Sequence, residues 1–187
     1  AAGRPVLPAP TSVGRYTPAV PRPPAAVPPT TRPRWLDDEQ QRAWRAYLLG
    51  TTLLLDRLDD DLRRHHGASM AEYEILVRLS ESDGRLRMAQ LADALAHSRS
   101  RVTHTIKRME DAGLVQRVDS PEDKRGVFAV ITEAGAALLE EMAPTHVAGV
   151  RDHFVDIADP ADFEALGRMM NAVSDQLIAG HPDREMR

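Results

Sequence analysis

Residues 85 to 131 allow few folds. Two short helical patterns, Met88 to about Ala94 and Ser98 to about Ala112, meet at the turn Ala96-His97-Ser98, and Gly113 closes the second. Directly after it come two β-branched runs, Leu114 to Asp119 and Val127 to Ile131, around a polar Pro-Glu-Asp-Lys-Arg-Gly loop, which is the pattern of a hairpin. Arg85 to Arg87 is long enough for one minimal strand. Helix, tight turn, helix, then hairpin is the order of a winged helix-turn-helix.

Long helices flank this block. From Trp35 the pattern turns helical: Asp37, Asp38 and Glu39 sit where a helix dipole favours acid, and Trp44, Leu48, Leu55, Leu58 and Leu62 recur at helical spacing. His65, His66 and Gly67 end that helix, with Gly67 as its C-cap. Ser69 opens a second helix with Glu72 as capping-box partner and Tyr73, Leu76 and Leu79 on its apolar side, and Gly84 stops it. After the hairpin, Thr132 caps a helix carrying Leu138, Leu139 and Met142, which Pro144 is expected to kink or interrupt before Val147, Val150 and Phe154. A last helix runs from about Pro160 to Ala179, with Phe163, Leu166, Met170, Val173 and Leu177 on one side. The expected fold is mainly α: three helices and a β-hairpin wing, with long N- and C-terminal helices.

Composition divides the chain near residue 34. Ten of the 14 prolines and five arginines lie in residues 1 to 34, which hold no acidic residue, so this stretch reads as a disordered, polyproline-like leader. The other 153 residues carry 19 Lys+Arg against 28 Asp+Glu. The expected domains are the leader 1–34, a helical dimerisation region from 35–66 and 132–180, a DNA-binding domain 67–131 and a tail 181–187. With aromatic residues at 4% and no cysteine, a large β-sandwich, disulfides, cysteine-ligated zinc and a catalytic thiol are set aside. The longest mostly apolar run, Tyr47 to Leu55, is far short of the roughly 18 to 20 residues of a membrane span. The leader lacks a secretory apolar stretch, so a soluble, cytoplasmic protein is expected.

Charge points to the partner. On a helical wheel Val102, Ile106 and Met109 cluster inward, while Ser100, His104, Lys107 and Arg108 lie opposite and Arg101 and Thr103 flank them. No residue from Ala94 to Met109 is acidic. Residues 85 to 127 sum to +3, against −5 for residues 35 to 84 and −7 for 128 to 187. One positive lobe on an acidic body orients a protein toward the phosphates of double-stranded DNA.

With these features in view, the chain resembles the MarR family of transcription regulators. The stretches that carry the likeness are Met88-Ala-Gln-Leu-Ala-Asp-Ala-Leu-Ala, Ser100 through Arg117, and Asp123-Lys-Arg125-Gly followed by Ile131-Thr-Glu-Ala-Gly135. The resemblance covers about residues 35 to 180. It implies a homodimer whose terminal helices interlock and whose winged domains straddle a pseudo-palindromic operator, acting as a repressor released by a small aromatic or anionic effector. It also implies that Ser100, Arg101, Thr103 and His104 face base edges, that Arg125 enters the minor groove, and that Asp123 braces the wing beside Lys124. Lys107 and Arg108, a turn further along, are expected at the phosphate backbone. His104 departs from the basic residue often found at that position. For the effector, the residues singled out are His65, Met70, Tyr73 and His146.

Three other readings compete. His65, His66, His146 and His153 suggest a metal-responsive regulator, but adjacent histidines diverge on a helix and a spacing of seven does not make one ligand face, so no metal or cofactor is expected. An enzyme would need a nucleophile with its base, a phosphate loop or a carboxylate pair, and none stands out. A winged helix used only for protein contacts usually lacks a basic recognition face and a wing arginine, and this chain has both.

Overall fold

The computed structural model describes residues 33–120 and 126–179. The chain divides into two units, residues 1–37 and residues 38–187; of the first, the described residues 33–37 are exposed and outside helix and strand.

The second unit begins with α1, Asp38–His66, which has Asp38 and Glu39 in its first turn and Arg63, Arg64, His65 and His66 in its last, both matched to the helix dipole. Along it Arg57, Arg63 and Arg64 pair with Asp61, Asp59 and Asp60 at i,i+4 spacing. Gly67, at φ +68°, ends the helix as expected, its N–H donating to the Arg63 carbonyl at 3.0 Å. The next helix, α2 at Met70–Ser80, starts from the Ser69–Glu72 capping box. Its first N–H, on Met70, donates to Asp59 Oδ1 at 2.8 Å, which ties α2 to α1.

Strand β1 (Arg85–Arg87), helix α3 (Met88–Ala94), helix α4 (Arg99–Asp111) and strands β2 (Val115–Asp119) and β3 (Val127–Ile131) follow in the order read from the sequence. β3 lies in the middle of an antiparallel sheet ordered β1-β3-β2, with Arg87 opposite Phe128 and Arg117 opposite Ala129. Ser120 N–H donates to the Gly126 carbonyl at 2.7 Å across the base of the hairpin loop. The turn between α3 and α4 contains Ala96 at φ +51°, and Ser98 caps α4 by accepting from the Arg101 N–H.

The core of this part joins Ile75, Leu76 and Leu79 of α2, Leu91 of α3, Val102, Ile106 and Met109 of α4, and Val115 and Ala129 of the sheet. A second cluster joins Leu62 of α1, Ala68, Tyr73 of α2 and Met142 of α5, the helix spanning Glu133–Val150. Thr132 locks α5 to the turn after α4: its Oγ1 donates to the Gly113 carbonyl at 2.7 Å and accepts from Gly135 N–H at 3.0 Å.

One expectation needs correction. Pro144 does not interrupt α5, which runs unbroken through it; the departure from α-helical winding falls later, in a π-helical turn at Arg151–Val155 before α6 at Pro160–Ala179. The packing of α5 against α1 and α2 outweighs the one lost backbone bond. The apolar side of α1 is covered only in part: Leu58 and Leu62 are buried, but Trp44, Leu48 and Leu55 are exposed. Other large apolar side chains are bare as well: Leu49 is 62%, Ile157 74% and Leu177 65% exposed.

Candidate nucleic-acid interface

The burial of Val102, Thr105, Ile106 and Met109 fixes the rotation of α4 about its axis. That leaves Ser100, Arg101, Thr103, His104, Lys107 and Arg108 all facing solvent, as the wheel requires. Thr105, inside the core, satisfies its hydroxyl on the Arg101 carbonyl at 3.1 Å. Thr103 does the same on the Arg99 carbonyl at 2.8 Å, and Ser100 Oγ lies 3.2 Å from Ser98 Oγ.

The two basic residues further along are engaged. Lys107 Nζ pairs with Asp111 at 2.6 Å, an exposed i,i+4 contact of the kind that contributes little and yields readily to a phosphate. Arg108 Nη2 instead reaches Glu72 Oε1 at 3.3 Å, 36 residues away, while the other oxygen of Glu72 closes the α2 capping box. The recognition helix is thereby tied to the start of α2. Asp123, Lys124 and Arg125 lie outside the described residues.

Arg87, Arg99 and Arg117 all belong to the positive stretch 85–127. In the fold they line one cleft of about 430 Å³, together with Thr103, Met88, Ala89, Gly126 and Val127. Nothing in their spacing along the chain signals this, because they come from β1, α4 and β2.

Of the four residues singled out for an effector, three come together. Met70, Tyr73 and His146 line a cleft of about 380 Å³ with Glu74, Val77, Arg78, Glu81, Ala94 and Leu95. The Tyr73 and His146 rings lie 4.5 Å apart, and among the described residues the buried His146 Nδ1 has no hydrogen-bond partner. Burial holds the His146 imidazole below its ordinary pKa and pushes the Tyr73 phenol up. His65 is not with them: it is exposed on α1, its Nδ1 donating to the Asp61 carbonyl at 2.8 Å. Its neighbour His66 turns inward and meets Thr145 Oγ1 of α5 at 2.8 Å. Among the described residues, no three His, Asp or Glu side chains gather to hold a metal ion, and no helix is long and apolar enough to cross a membrane.

A helix-turn-helix with its outward face uniformly basic or polar, backed by a three-stranded wing, defines a winged-helix regulator class. Comparison with known proteins narrows it. The MarR family model matches residues 68–127. The crystal structure of AbsC, a MarR family transcriptional regulator from Streptomyces coelicolor, is 45% identical, covers 79% of this chain and 99% of its own, and superposes with a TM-score of 0.74. Sco3205, a MarR family transcriptional regulator from the same organism solved in complex with DNA, is 42% identical over 79% of this chain and 93% of its own, with a TM-score of 0.76. The HTH-type transcriptional regulator MhqR of Bacillus subtilis is 28% identical over 119 residues, 62% of this chain and 81% of its own. The chain belongs to the MarR family of transcriptional regulators.

Proposed function

We propose that this protein is a cytoplasmic homodimer without catalytic activity that binds a pseudo-palindromic operator and represses transcription until a small aromatic or anionic effector releases it. The observation that carries the reading is α4: its inner face is locked into the core, so its outer face presents Ser100, Arg101, Thr103 and His104 in fixed positions suited to base edges. The 42% identity to a regulator solved with DNA supports the same reading.

In this reading residues 67–131 form the DNA-binding domain. Arg125 of the hairpin loop enters the minor groove, with Asp123 and Lys124 beside it. Lys107 and Arg108 meet phosphates, Arg108 through the guanidinium N–H groups that Glu72 leaves available. Residues 35–66 and 132–180 form the dimerisation region. The bare leucines, Trp44, Ile157 and Phe163 supply the apolar surface that an obligate helical dimer buries. The cleft holding Tyr73 and His146 is the effector site: an aromatic ring stacks on Tyr73 while a hydroxyl satisfies His146 Nδ1.

A mobility-shift assay with the DNA upstream of its own gene, at two salt concentrations, tests the proposal. A discrete complex that resists scrambled competitor and weakens with salt is expected, and Arg125→Ala should cost about 1 to 3 kcal/mol with the dimer intact. No complex at low salt refutes DNA binding, whereas unchanged affinity in a dimeric Arg125→Ala protein refutes the wing assignment.

A further inference from the structure

We propose that the cleft between α2, the end of α3 and α5 takes a small organic cation, an aromatic ring bearing one ammonium group, whose charge Glu74 receives; this rests on the effector reading of that cleft and narrows its ligand to one class. Met70, Tyr73, Glu74, Val77, Arg78 and Glu81 recur at helical spacing along α2 and its C-cap and form one wall. Three of them are charged. Arg78 and Glu81 cancel each other, Nη1 to Oε2 at 2.9 Å. Glu74 is half-buried and, among the described residues, has neither a hydrogen bond nor an ion pair. It interacts with His97 of the α3–α4 turn, but burial and the Arg101 charge hold that imidazole below its ordinary pKa, so it supplies no counter-ion near neutral pH. His146, on the opposite wall, is held neutral by burial in the same way.

The described walls of the cleft therefore carry a net negative charge, and it sits on the one carboxylate without a partner. An ammonium N–H gives that carboxylate a charge-assisted hydrogen bond, whereas a carboxylate or phenolate ligand would meet like charge. The remaining walls suit the body of such a ligand. Met70, Val77 and Leu95 are apolar, and Tyr73 adds a ring that attracts both a cation and another aromatic group. A volume of about 380 Å³ holds one substituted ring. A bare metal ion does not fit, since no three His, Asp or Glu side chains gather among the described residues. Ala94 and Leu95 close the cleft at the end of α3, and the turn after them, with Ala96 at φ +51° and Ser98 capping α4, sets the start of the recognition helix. A ligand wedged between α2 and Leu95 displaces that turn and the base-reading face with it.

The experiment uses full-length protein and three probes of one shape, benzylammonium chloride, benzyl alcohol and sodium benzoate, at fixed ionic strength with methylammonium chloride as the reference. Calorimetric titration reads binding, and a mobility shift on the operator duplex reads release. Benzylammonium should bind and release the duplex at concentrations where the other two do neither. Glu74→Gln, which keeps the side chain's shape, should weaken benzylammonium by roughly 10- to 100-fold. Its unfolding temperature without probe and its operator affinity should match the wild type. Equal benzylammonium binding by Glu74→Gln and wild type overturns the proposal. So does tighter binding of benzoate or benzyl alcohol; if that probe releases the duplex and Tyr73→Leu abolishes the release, the effector cleft stands and only the cationic class is wrong. If no probe binds, or benzylammonium binds without releasing the duplex, the proposal and the effector reading fall together.

Discussion

Replacing Gly135 with alanine, an exchange that normally strengthens a helix, should weaken this protein. Gly135 lies in the first turn of α5, and an interior Gly→Ala change in a helix contributes about 1 kcal/mol of stability. Here an added Cβ would sit 2.2 Å from the Leu114 carbonyl oxygen and 3.0 Å from Ile131 Cγ1. A backbone oxygen cannot swing aside as a side chain can, so the start of α5 must shift away from the turn after α4. That shift strains two bonds, Thr132 N–H to the Leu114 carbonyl at 3.1 Å and Thr132 Oγ1 to the Gly113 carbonyl at 2.7 Å. With about 1 kcal/mol for each weakened bond and about 1 to 3 kcal/mol for overpacking, less the helical gain, the net loss is about 2 to 4 kcal/mol. For a body of this size it lowers Tm by about 4 to 16 °C. Thermal unfolding followed by circular dichroism, at one fixed protein concentration because dimerisation contributes to Tm, measures it. Gly149→Ala is the control, since its Cβ would meet only the end of the Leu58 side chain at 2.8 Å, and its Tm should change much less. An unchanged or raised Tm for Gly135→Ala refutes the claim that this glycine is required by the close approach of α5 to Leu114.

Ser69→Ala removes the side-chain half of the α2 capping box and should lower the urea midpoint by an amount worth about 1 kcal/mol; an unchanged midpoint would mean the box contributes nothing. Stability should also fall as pH drops below about 6.5, the ordinary histidine value. The sign follows from burial: His146 and His97 both have depressed folded-state pKa values, so the unfolded chain takes up protons that the folded chain resists, and the stabilisation is complete only above that pH. His146→Phe should flatten the slope of stability against pH, and equal slopes in variant and wild type would assign the effect elsewhere.

Sequence alone determined the local elements, because their signals act over three or four residues. The Ser69–Glu72 box, the Gly67 and Gly113 ends, the Thr132 cap and the Val102-Ile106-Met109 stripe are all read within one or two helical turns, and each stands in the fold where it was expected. What remained illegible depends on contacts between distant parts of the chain. Periodicity puts Trp44 and Leu62 on one apolar side but cannot say that only the second meets α5 in a single chain. Of two adjacent histidines, only tertiary packing decides that His66 meets Thr145 while His65 stays outside. The Thr-x-x-Gly signature is plain in the sequence, yet its glycine is explained only by the Leu114 carbonyl, 21 residues earlier, against which α5 packs. The charge sum located a basic lobe, but which arginines are engaged was decided by Glu72 for Arg108 and by Glu110 for Arg117. Helix caps and apolar stripes are short-range and therefore written in neighbouring residues; partners for charges, histidines and close-packed glycines are chosen by whichever segments the fold brings within a few ångströms.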